Sequence, residues 1–486
     1  MSRKLVAAVV AVAALVVAAP FFLSTTLLGD DHVFLAYARH APHPFVAFVR
    51  DQHGGEFYRP LPMALWWLLG RAGGGAAWPF AALALALHAA AAALVATLVS
   101  ALGRPRVAAV LAGALFALAP QNLEAAYWFA ASTDLLATTF VLASLVTLAR
   151  GRALASAAFA LAAYLSKESA LALPALAFVV LDAPARRRLA RVAPHAALAL
   201  VVVAVRGRVL GGWGGSGDPA APLGGRVLQL ASGLVHVGTG STFLPEPLAW
   251  GSGACALALL ALAARRGAGA PRPWTPLLLA LVALAPLPAA GWIVGARYFY
   301  LPAVGLAWAA GEALASRPRA VAVTLGGTLL ALGAVQASAR HAEVVAYDAR
   351  VSAARRAIGE ASRLGARVFH VAGAVKDLDL AVKEDPALAP IADELLVLAD
   401  VPASFVLMPS ALESRARVLV ASPPLPPSGA YAFGDRRVVG LARRGDDPTL
   451  DEVVALFPDI RFLRLRPVPG GHVIARDVTE ELKGTD

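Results

Sequence analysis

The loops between the apolar segments of this chain are of two chemical kinds, and that sorting constrains the fold more than any other feature. Apolar runs fill nearly all of the first 340 residues. One set of loops carries almost only basic side chains: Arg3-Lys4, Arg104 and Arg106, Arg150 and Arg152, Arg186-Arg187-Arg188 with Arg191, Arg265-Arg266 with Arg272, and Arg317 with Arg319. Asp182 is the one clear acid among them. The alternate loops carry Asp30-Asp31, Glu56, Glu124, Asp134, Lys167-Glu168 and Arg297. Basic loops stay on the cytoplasmic side of a membrane. The mixed loops therefore share the outer face and gather carboxylates and cations at one boundary.

Composition agrees with a chain that crosses a bilayer repeatedly. Hydrophobic residues make up 58% of it and charged residues only 15%, outside the range of soluble domains. Crossing the hydrocarbon core takes about 17–25 apolar residues in a helix. On that criterion about eleven spans are predicted, near 5–23, 76–102, 107–121, 133–149, 153–166, 168–182, 192–206, 247–264, 274–290, 297–315 and 319–338. An odd count keeps every basic loop on one side, with the N-terminus inside and the C-terminus outside. The first span resembles a signal peptide, with Val17-Ala18-Ala19 at a cleavage-like position. Pro20 directly after it disfavours processing, so it is read as an uncleaved span.

The net charge of +11 does not point to nucleic acid, because the basic residues lie in short inter-helix loops without interleaved aromatics. They are topogenic charges beside anionic lipid. The only cysteine, Cys255, lies in an apolar span, which excludes an intramolecular disulfide and a cysteine metal site.

Three outer segments are too long for simple connectors. Residues 24–75 are predicted to form short helices lying on the membrane, with Trp66-Trp67 interfacial. Residues 207–246 open on a Gly-rich stretch and continue as a broken, semi-apolar piece. The third is the tail, where long apolar runs give way to mixed charge. Strand-like runs at 367–371, 404–408, 417–421 and 437–442 alternate with helical patterns at 349–364 and 451–457. The division expected is a polytopic transmembrane domain over 1–339 and a small extracytoplasmic α/β or α+β domain over 340–486. No tetratricopeptide or other repeat is visible.

Several outer residues could carry chemistry. Asp30-Asp31-His32 follows the first span directly. Two adjacent carboxylates repel, and partial desolvation raises a carboxylate's pKa. Such a pair can act as general base for a hydroxyl or, with His32, hold a divalent cation; it can also be an ordinary solvated turn. Glu124 sits after the third span, before a Tyr127-Trp128 belt. Asp134 opens the fourth span and reads best as a helix-capping acid. Lys167-Glu168 between two spans is costly unless paired or functional, or unless both snorkel to the surface. Arg59 and Arg297 are outer-face arginines that run against the positive-inside bias; guanidinium forks suit phosphate and carboxylate. His88, deep in the second span, is expected to make an interhelical hydrogen bond.

Four stretches taken in order form a pattern: the Asp30-Asp31 loop; Tyr58-Arg59-Pro60-Leu61; Glu124 to Leu135 with Leu165-Ser166-Lys167-Glu168; and Arg297-Tyr298-Phe299-Tyr300-Leu301-Pro302. This set, spread over roughly residues 1–310, resembles the GT-C class of membrane glycosyltransferases. Within that class it is most similar to the TMTC-type protein O-mannosyltransferases and their bacterial relatives. Two positions depart from the group's pattern: Ser132 stands where an Arg is usual, and Ala296 where a Glu often precedes Arg297. The resemblance implies a GT-C-like helical membrane fold. It also implies transfer of a sugar from a polyprenyl-phosphate donor to an acceptor hydroxyl of protein, lipid or glycan. One carboxylate of Asp30-Asp31 would contact the acceptor or act as base. Arg59, Glu124, Lys167, Glu168 and Arg297 would shape the donor-phosphate site. The Ala/Arg-rich composition points to a bacterial inner membrane with the tail in the periplasm. The competing readings are a lipid-linked substrate transporter or flippase, which would place ionisable groups at mid-bilayer in repeated halves, and a membrane scaffold without catalysis.

Overall fold

A computed structural model of the chain describes residues 10–12, 15, 26–28, 31–51, 57–119, 122–212, 274–286, 296–372, 378–383, 385, 387–388, 390–391, 395–401, 418–421, 431–432, 439–440, 459, 461–468 and 473–480. In chain order the helices are α1 (Asp31–His40), α2 (Pro60–Ala72), α3 (Trp78–Ala101), α4 (Arg106–Ala117), the short α5 (Leu123–Tyr127), α6 (Ser132–Ala149), α7 (Ala153–Tyr164), α8 (Leu173–Val180), α9 (Ala185–Leu210), α10 (Thr275–Leu284), α11 (Pro302–Ala315), α12 (Arg319–Arg363) and α13 (Leu378–Lys383). Among the described residues seven strands follow or flank α13: β1 (Val368–Ala372), β2 (Leu396–Val401), β3 (Val418–Ala421), β4 (Tyr431–Ala432), β5 (Val439–Gly440), β6 (Arg461–Pro467) and β7 (Val473–Asp477). The chain divides into two compact units: Met1–Thr25 with Ala41–Arg340, and Thr26–His40 with His341–Asp486.

The first unit is a helical bundle. Prolines set its helix starts: Pro60, Pro79, Pro174, Pro276 and Pro302 each lie in a first turn, where the missing N–H costs nothing. Gly151 ends the α6 turn with φ of 74° and Gly211 follows α9 with φ of 70°, the left-handed region that favours glycine. Among the described residues, three segments are long and apolar enough to cross a membrane by themselves: Trp78–Ala101, Phe129–Ala149 and Ala185–Leu210. Shorter apolar helices accompany them at Arg106–Ala117, Ala153–Tyr164, Glu168–Val180 and Thr275–Leu284. This is an integral membrane protein.

The expected spans meet these helices with informative differences. The one expected at 168–182 begins as a 3-10 turn, Glu168–Ala172, and becomes α-helical only at Leu173, because Pro174 cannot donate to an earlier turn. The one expected at 297–315 likewise opens as a 3-10 turn, Ala296–Phe299, before Pro302 starts α11. The spans expected at 192–206 and 319–338 are parts of longer helices, α9 and α12. Most of 5–23, all of 247–264, and the broken piece beyond Gly212 lie outside the described residues.

Packing within the bundle uses small residues. α4 packs against α3 and α11, α6 against α3 and α7, α9 against α7 and α8, and α10 against α8 and α11. Ala91, Ala92, Val95, Ala96 and Leu98 of α3, and Ala108, Ala109 and Ala112 of α4, are completely buried. Lipid chains are as apolar as a helix face, so association rests on close van der Waals approach, which small side chains permit. α11 shows this most plainly. A Cβ at Gly305 would lie 2.3 Å from Pro276 O and 2.6 Å from Ala280 N, and one at Gly311 would lie 2.8 Å from both Ala108 O and Ala112 N.

The second unit is α+β. Its sheet has the order β4-β5-β3-β2-β1-β6-β7. β1 runs parallel to β2 and β6, and the remaining pairs are antiparallel. Registers include Phe369↔Val397 and His370↔Phe462. Phe369, Val371, Val397, Leu378, Ala381 and Val382 are fully buried, and α13 packs on β2 to close that core. The strands expected at 367–371, 417–421 and 437–442 correspond to β1, β3 and β5. Those expected at 404–408, and the helix at 451–457, lie outside the described residues.

Because the obstacles around Gly305 are backbone atoms, Gly305→Ala is expected to cost about 1–3 kcal/mol. Gly327, inside α12, has nothing within 4 Å of the corresponding position, so Gly327→Ala is expected to be neutral to slightly stabilising. Thermal denaturation of the detergent-solubilised full chain checks both; equal midpoints for the two variants would contradict the packing account.

Candidate functional site

In the first unit five helices share one arrangement. Each has a basic loop at one end and, at the other, a residue of a single charged cluster. α6 begins beside Asp134 and runs to Arg150; α7 begins after Arg152 and leads to Lys167. The segment from Glu168 through α8 ends before the Arg186 loop, α9 starts in that loop and carries Arg206 near its far end, and α11 runs from just after Arg297 to Arg317. The cluster therefore lies at the bundle end opposite the basic loops.

Local structure explains how Arg59 joins it. The Leu61 backbone N–H donates to Leu165 O at 3.2 Å, which ties the start of α2 to the residues just before Lys167. Trp66 Nε1, one turn further along α2, donates to Ser132 Oγ at 3.1 Å and fixes α2 to the start of α6. The Ser at 132, where a larger basic residue was the usual pattern, accepts this bond. Arg59 then reaches Glu168: Nε and Nη2 donate to Oε2 at 3.1 and 2.9 Å. The guanidinium also lies 4.1 Å from the centroid of the Phe57 ring.

Glu168 uses its other oxygen as well. Arg206 Nη1 donates to Oε1 at 2.5 Å, so one carboxylate bridges two arginines. Lys167, its neighbour in sequence, turns the other way and donates to Asp134 Oδ2 at 2.5 Å. Asp134 is therefore an ion-pair partner, and the capping role expected for it is not what the structure shows: the residue before α6 is Ala131, and no side chain caps that end. Lys167 and Glu168 are not a snorkelling pair either, since each is held by a partner on another segment. Lys167 Nζ also lies 4.8 Å from the Tyr298 ring centroid.

Arg297 stands over two aromatic faces, 4.1 Å from the Trp128 centroid and 4.9 Å from Tyr298. Its turn is anchored by His88. Nε2 of His88 is 2.9 Å from Ala117 O, a carbonyl that can only accept, so the proton sits on Nε2. Nδ1 then accepts from Tyr300 Oη at 2.8 Å. This is the interhelical bond expected of His88, and it holds Tyr300 three residues from Arg297.

The cluster thus joins Arg59, Lys167, Arg206 and Arg297 with Asp134 and Glu168. Burial pushes Lys167 down to about 8; the Asp134 carboxylate opposes this, and the nearby charges of Arg59 and Arg297 reinforce it. Like charges are thus held near one another in a protected place, an arrangement that an additional anion would relieve.

The remaining expected site residues are placed differently. Glu124 is in α5, with its side chain outside the described residues. Asp30 is likewise outside them. Asp31 and His32 belong to the second unit, at the start of α1, and both are buried. Asp31 makes a reciprocal turn with Leu28: its backbone N–H donates to Leu28 O, and its Oδ2 accepts from Leu28 N, each at 2.9 Å. One carboxylate oxygen thus satisfies a backbone N–H just before the helix. Among the described residues no group of three or more His, Cys, Asp or Glu is placed to hold a metal. Arg206 is the residue that sequence reasoning missed, although an arginine at the outer end of a span carries the same signal that singled out Arg59 and Arg297.

No protein-family model matches the chain, and no curated protein does. Among solved structures it is similar to the archaeal oligosaccharyltransferase AglB from Archaeoglobus fulgidus, in complex with an inhibitory peptide and a dolichol-phosphate. The TM-score is 0.47 with 12% identity, over 82% of this chain and 69% of that one.

Removing one partner of a buried ion pair typically costs about 3–5 kcal/mol, whereas replacing both by apolar groups costs far less. Asp134→Asn and Lys167→Met are each expected to destabilise strongly, and the Asp134→Leu/Lys167→Met double variant less than either. Thermal midpoints of the four proteins form the check, and additive losses would contradict a coupled pair. The lowered Lys167 pKa has a second consequence. Its charge is lost at a lower pH than that of an ordinary lysine, so affinity for an anionic ligand at the cluster is expected to fall as pH rises on the alkaline side of neutral. A calorimetric titration across pH 7–9 reads this step, which Lys167→Met should abolish.

Proposed function

We propose that this protein is an integral-membrane glycosyltransferase that moves a sugar from a polyprenyl-phosphate donor to an acceptor hydroxyl. The observation that carries the reading is the outer-end cluster, in which Arg59, Lys167, Arg206 and Arg297 converge around Asp134 and Glu168. A lipid-borne phosphate presents its charge at the membrane boundary, where the ends of these helices lie. Displacing phosphate from an anomeric carbon needs little acid assistance, because phosphate leaves readily. It does need the departing charge to be stabilised, and preorganised cations in a protected site supply several kcal/mol of that.

The second requirement is removal of the acceptor's proton. We assign it to the Asp30-Asp31 pair, the acids that directly follow the first span; a positioned carboxylate base contributes about 10²–10⁴-fold. Attack by the hydroxyl oxygen on the anomeric carbon forms the new glycosidic bond as the carbon–phosphate-oxygen bond breaks. The hydroxyl proton passes to the carboxylate, and the electron pair leaves on the phosphate. A single displacement of this kind inverts the anomeric configuration. We also assign Glu124 to the substrate-contacting groups. No nucleotide is consumed, since the sugar arrives on lipid. The positive-inside bias supports an inner-membrane orientation with a cytoplasmic N-terminus and a periplasmic tail domain.

The test is mass spectrometry of polyprenyl-linked sugars in a deletion strain expressing wild type, Arg297→Gln or Asp30→Asn/Asp31→Asn at matched levels. One lipid-linked sugar is expected to accumulate with the empty vector and with both variants, and to be consumed by wild type. Identical profiles in all four strains would remove the transferase reading.

A further inference from the structure

The six cluster residues are not equally reachable, and the difference separates two roles. The Lys167 and Asp134 side chains are 5% and 6% exposed, a pair sealed inside the bundle. Glu168 is 26% exposed, with Arg59 at 14% and Arg206 at 13%. An incoming anion therefore meets Arg59 and Arg206 before it can meet Lys167.

What it meets is already arranged for an oxyanion. Arg59 arrives from the chain just before α2, 109 residues from Glu168, and Arg206 arrives from α9, 38 residues away. Their N–H groups converge on one carboxylate and take one oxygen each, with Arg59 giving two donors to Oε2 and Arg206 one to Oε1. A phosphate monoester offers three oxygens and up to two charges where a carboxylate offers two oxygens and one. Guanidinium forks therefore bind it at least as well in the same geometry. Glu168 sits in a short 3-10 turn whose neighbour Lys167 is pinned to Asp134, so the turn stays fixed if the Glu168 side chain swings away.

We propose that Arg59 and Arg206 form a clamp for the phosphate of an isoprenyl phosphate, and that Glu168 competes with that phosphate for the same donors. Arg206 thereby becomes a phosphate-binding residue. Glu168 becomes an internal counter-anion: it keeps two guanidiniums together, and by competing it speeds release of the phosphorylated lipid. The assignment rests on the transferase reading for its choice of ligand, but the geometry of the clamp does not depend on sugar transfer.

Full-length protein in zwitterionic nanodiscs is titrated with farnesyl phosphate, with farnesol as the control lacking phosphate and inorganic phosphate as the control lacking lipid. Farnesyl phosphate is expected to bind, farnesol not to bind, and inorganic phosphate to bind much more weakly. Arg206→Gln is expected to weaken farnesyl phosphate by about tenfold, the scale of one charge-assisted contact. Glu168→Gln is expected to tighten it by about the same factor. Glu168→Asp keeps the charge but is too short to bridge both arginines; it serves if the Gln variant does not fold, and should also tighten binding. Weaker or unchanged binding in the Glu168 variants would overturn the competitor role, and Arg206→Gln without effect would overturn the clamp. Inorganic phosphate binding as tightly as farnesyl phosphate would overturn the lipid assignment. The two readings fail separately. The expected affinities without consumption of a lipid-linked sugar would leave the clamp and remove the transferase. Consumption with unchanged affinity in Glu168→Gln would do the reverse.

Discussion

Six ionisable groups at one end of an apolar bundle can persist only if they satisfy one another, and this requirement shapes the rest of the first unit. An unpaired charge taken out of water costs several kcal/mol. The Asp134–Lys167 pair meets that cost deepest in the protein and, in doing so, fixes the residue next to Glu168. Arg59 and Arg206 then complete Glu168 from two further segments. The neutral contacts serve the same end. Leu61 on Leu165, Trp66 on Ser132 and His88 between Tyr300 and Ala117 each hold one backbone segment that delivers a charged side chain.

The bundle beneath the cluster is built on a different principle. With lipid outside and Ala, Gly, Val and Leu inside, helices gain little from hydrophobic transfer and must gain from closeness. Gly305 against Pro276 and Ala280, and Gly311 against Ala108 and Ala112, bring α11 near enough to touch backbone with backbone. α11 follows directly on the Arg297 turn, so its depth in the bundle also sets the height of that arginine.

Much of this was legible in the sequence, for reasons that can be named. Topogenic charge is a one-dimensional signal, so the sorting of Arg3-Lys4, Arg104, Arg150, Arg186 and Arg317 away from Asp134, Lys167 and Arg297 was readable directly. So was the cost of burying Lys167-Glu168 without partners. The partners themselves were not readable. Asp134 lies 33 residues from Lys167 and resembles an ordinary capping acid until the fold brings the two together. Arg206 closes an apolar stretch at its outer end, the signal that singled out Arg59 and Arg297, but its pairing with Glu168, 38 residues away, appears only in the fold. In the tail, β1, β3 and β5 fall where strand-like runs stood out. β2, β6 and β7 do not stand out: in β6, for example, Phe462, Leu463 and Leu465 are broken up by Arg461, Arg464 and Arg466, which obscures any apolar period.

Two helices that contribute to the cluster, α6 and α9, differ in how much protein covers them. In the apolar window of the segment leading through α6, 89% of residues are buried in protein; for α9 the figure is 22%. Leu200 and Val201 on α9 are more than half exposed, and Val205 is 41% exposed. A helix so bare leaves most of its apolar surface for a nonpolar surrounding such as acyl chains. Arg206 therefore marks a seam: its guanidinium belongs to the protein's ionic network, while the helix that bears it presents a largely exposed apolar face. A molecule with a phosphate head and an isoprenoid tail could meet both sides of that seam by sliding in sideways from the bilayer, with no need to pass through water.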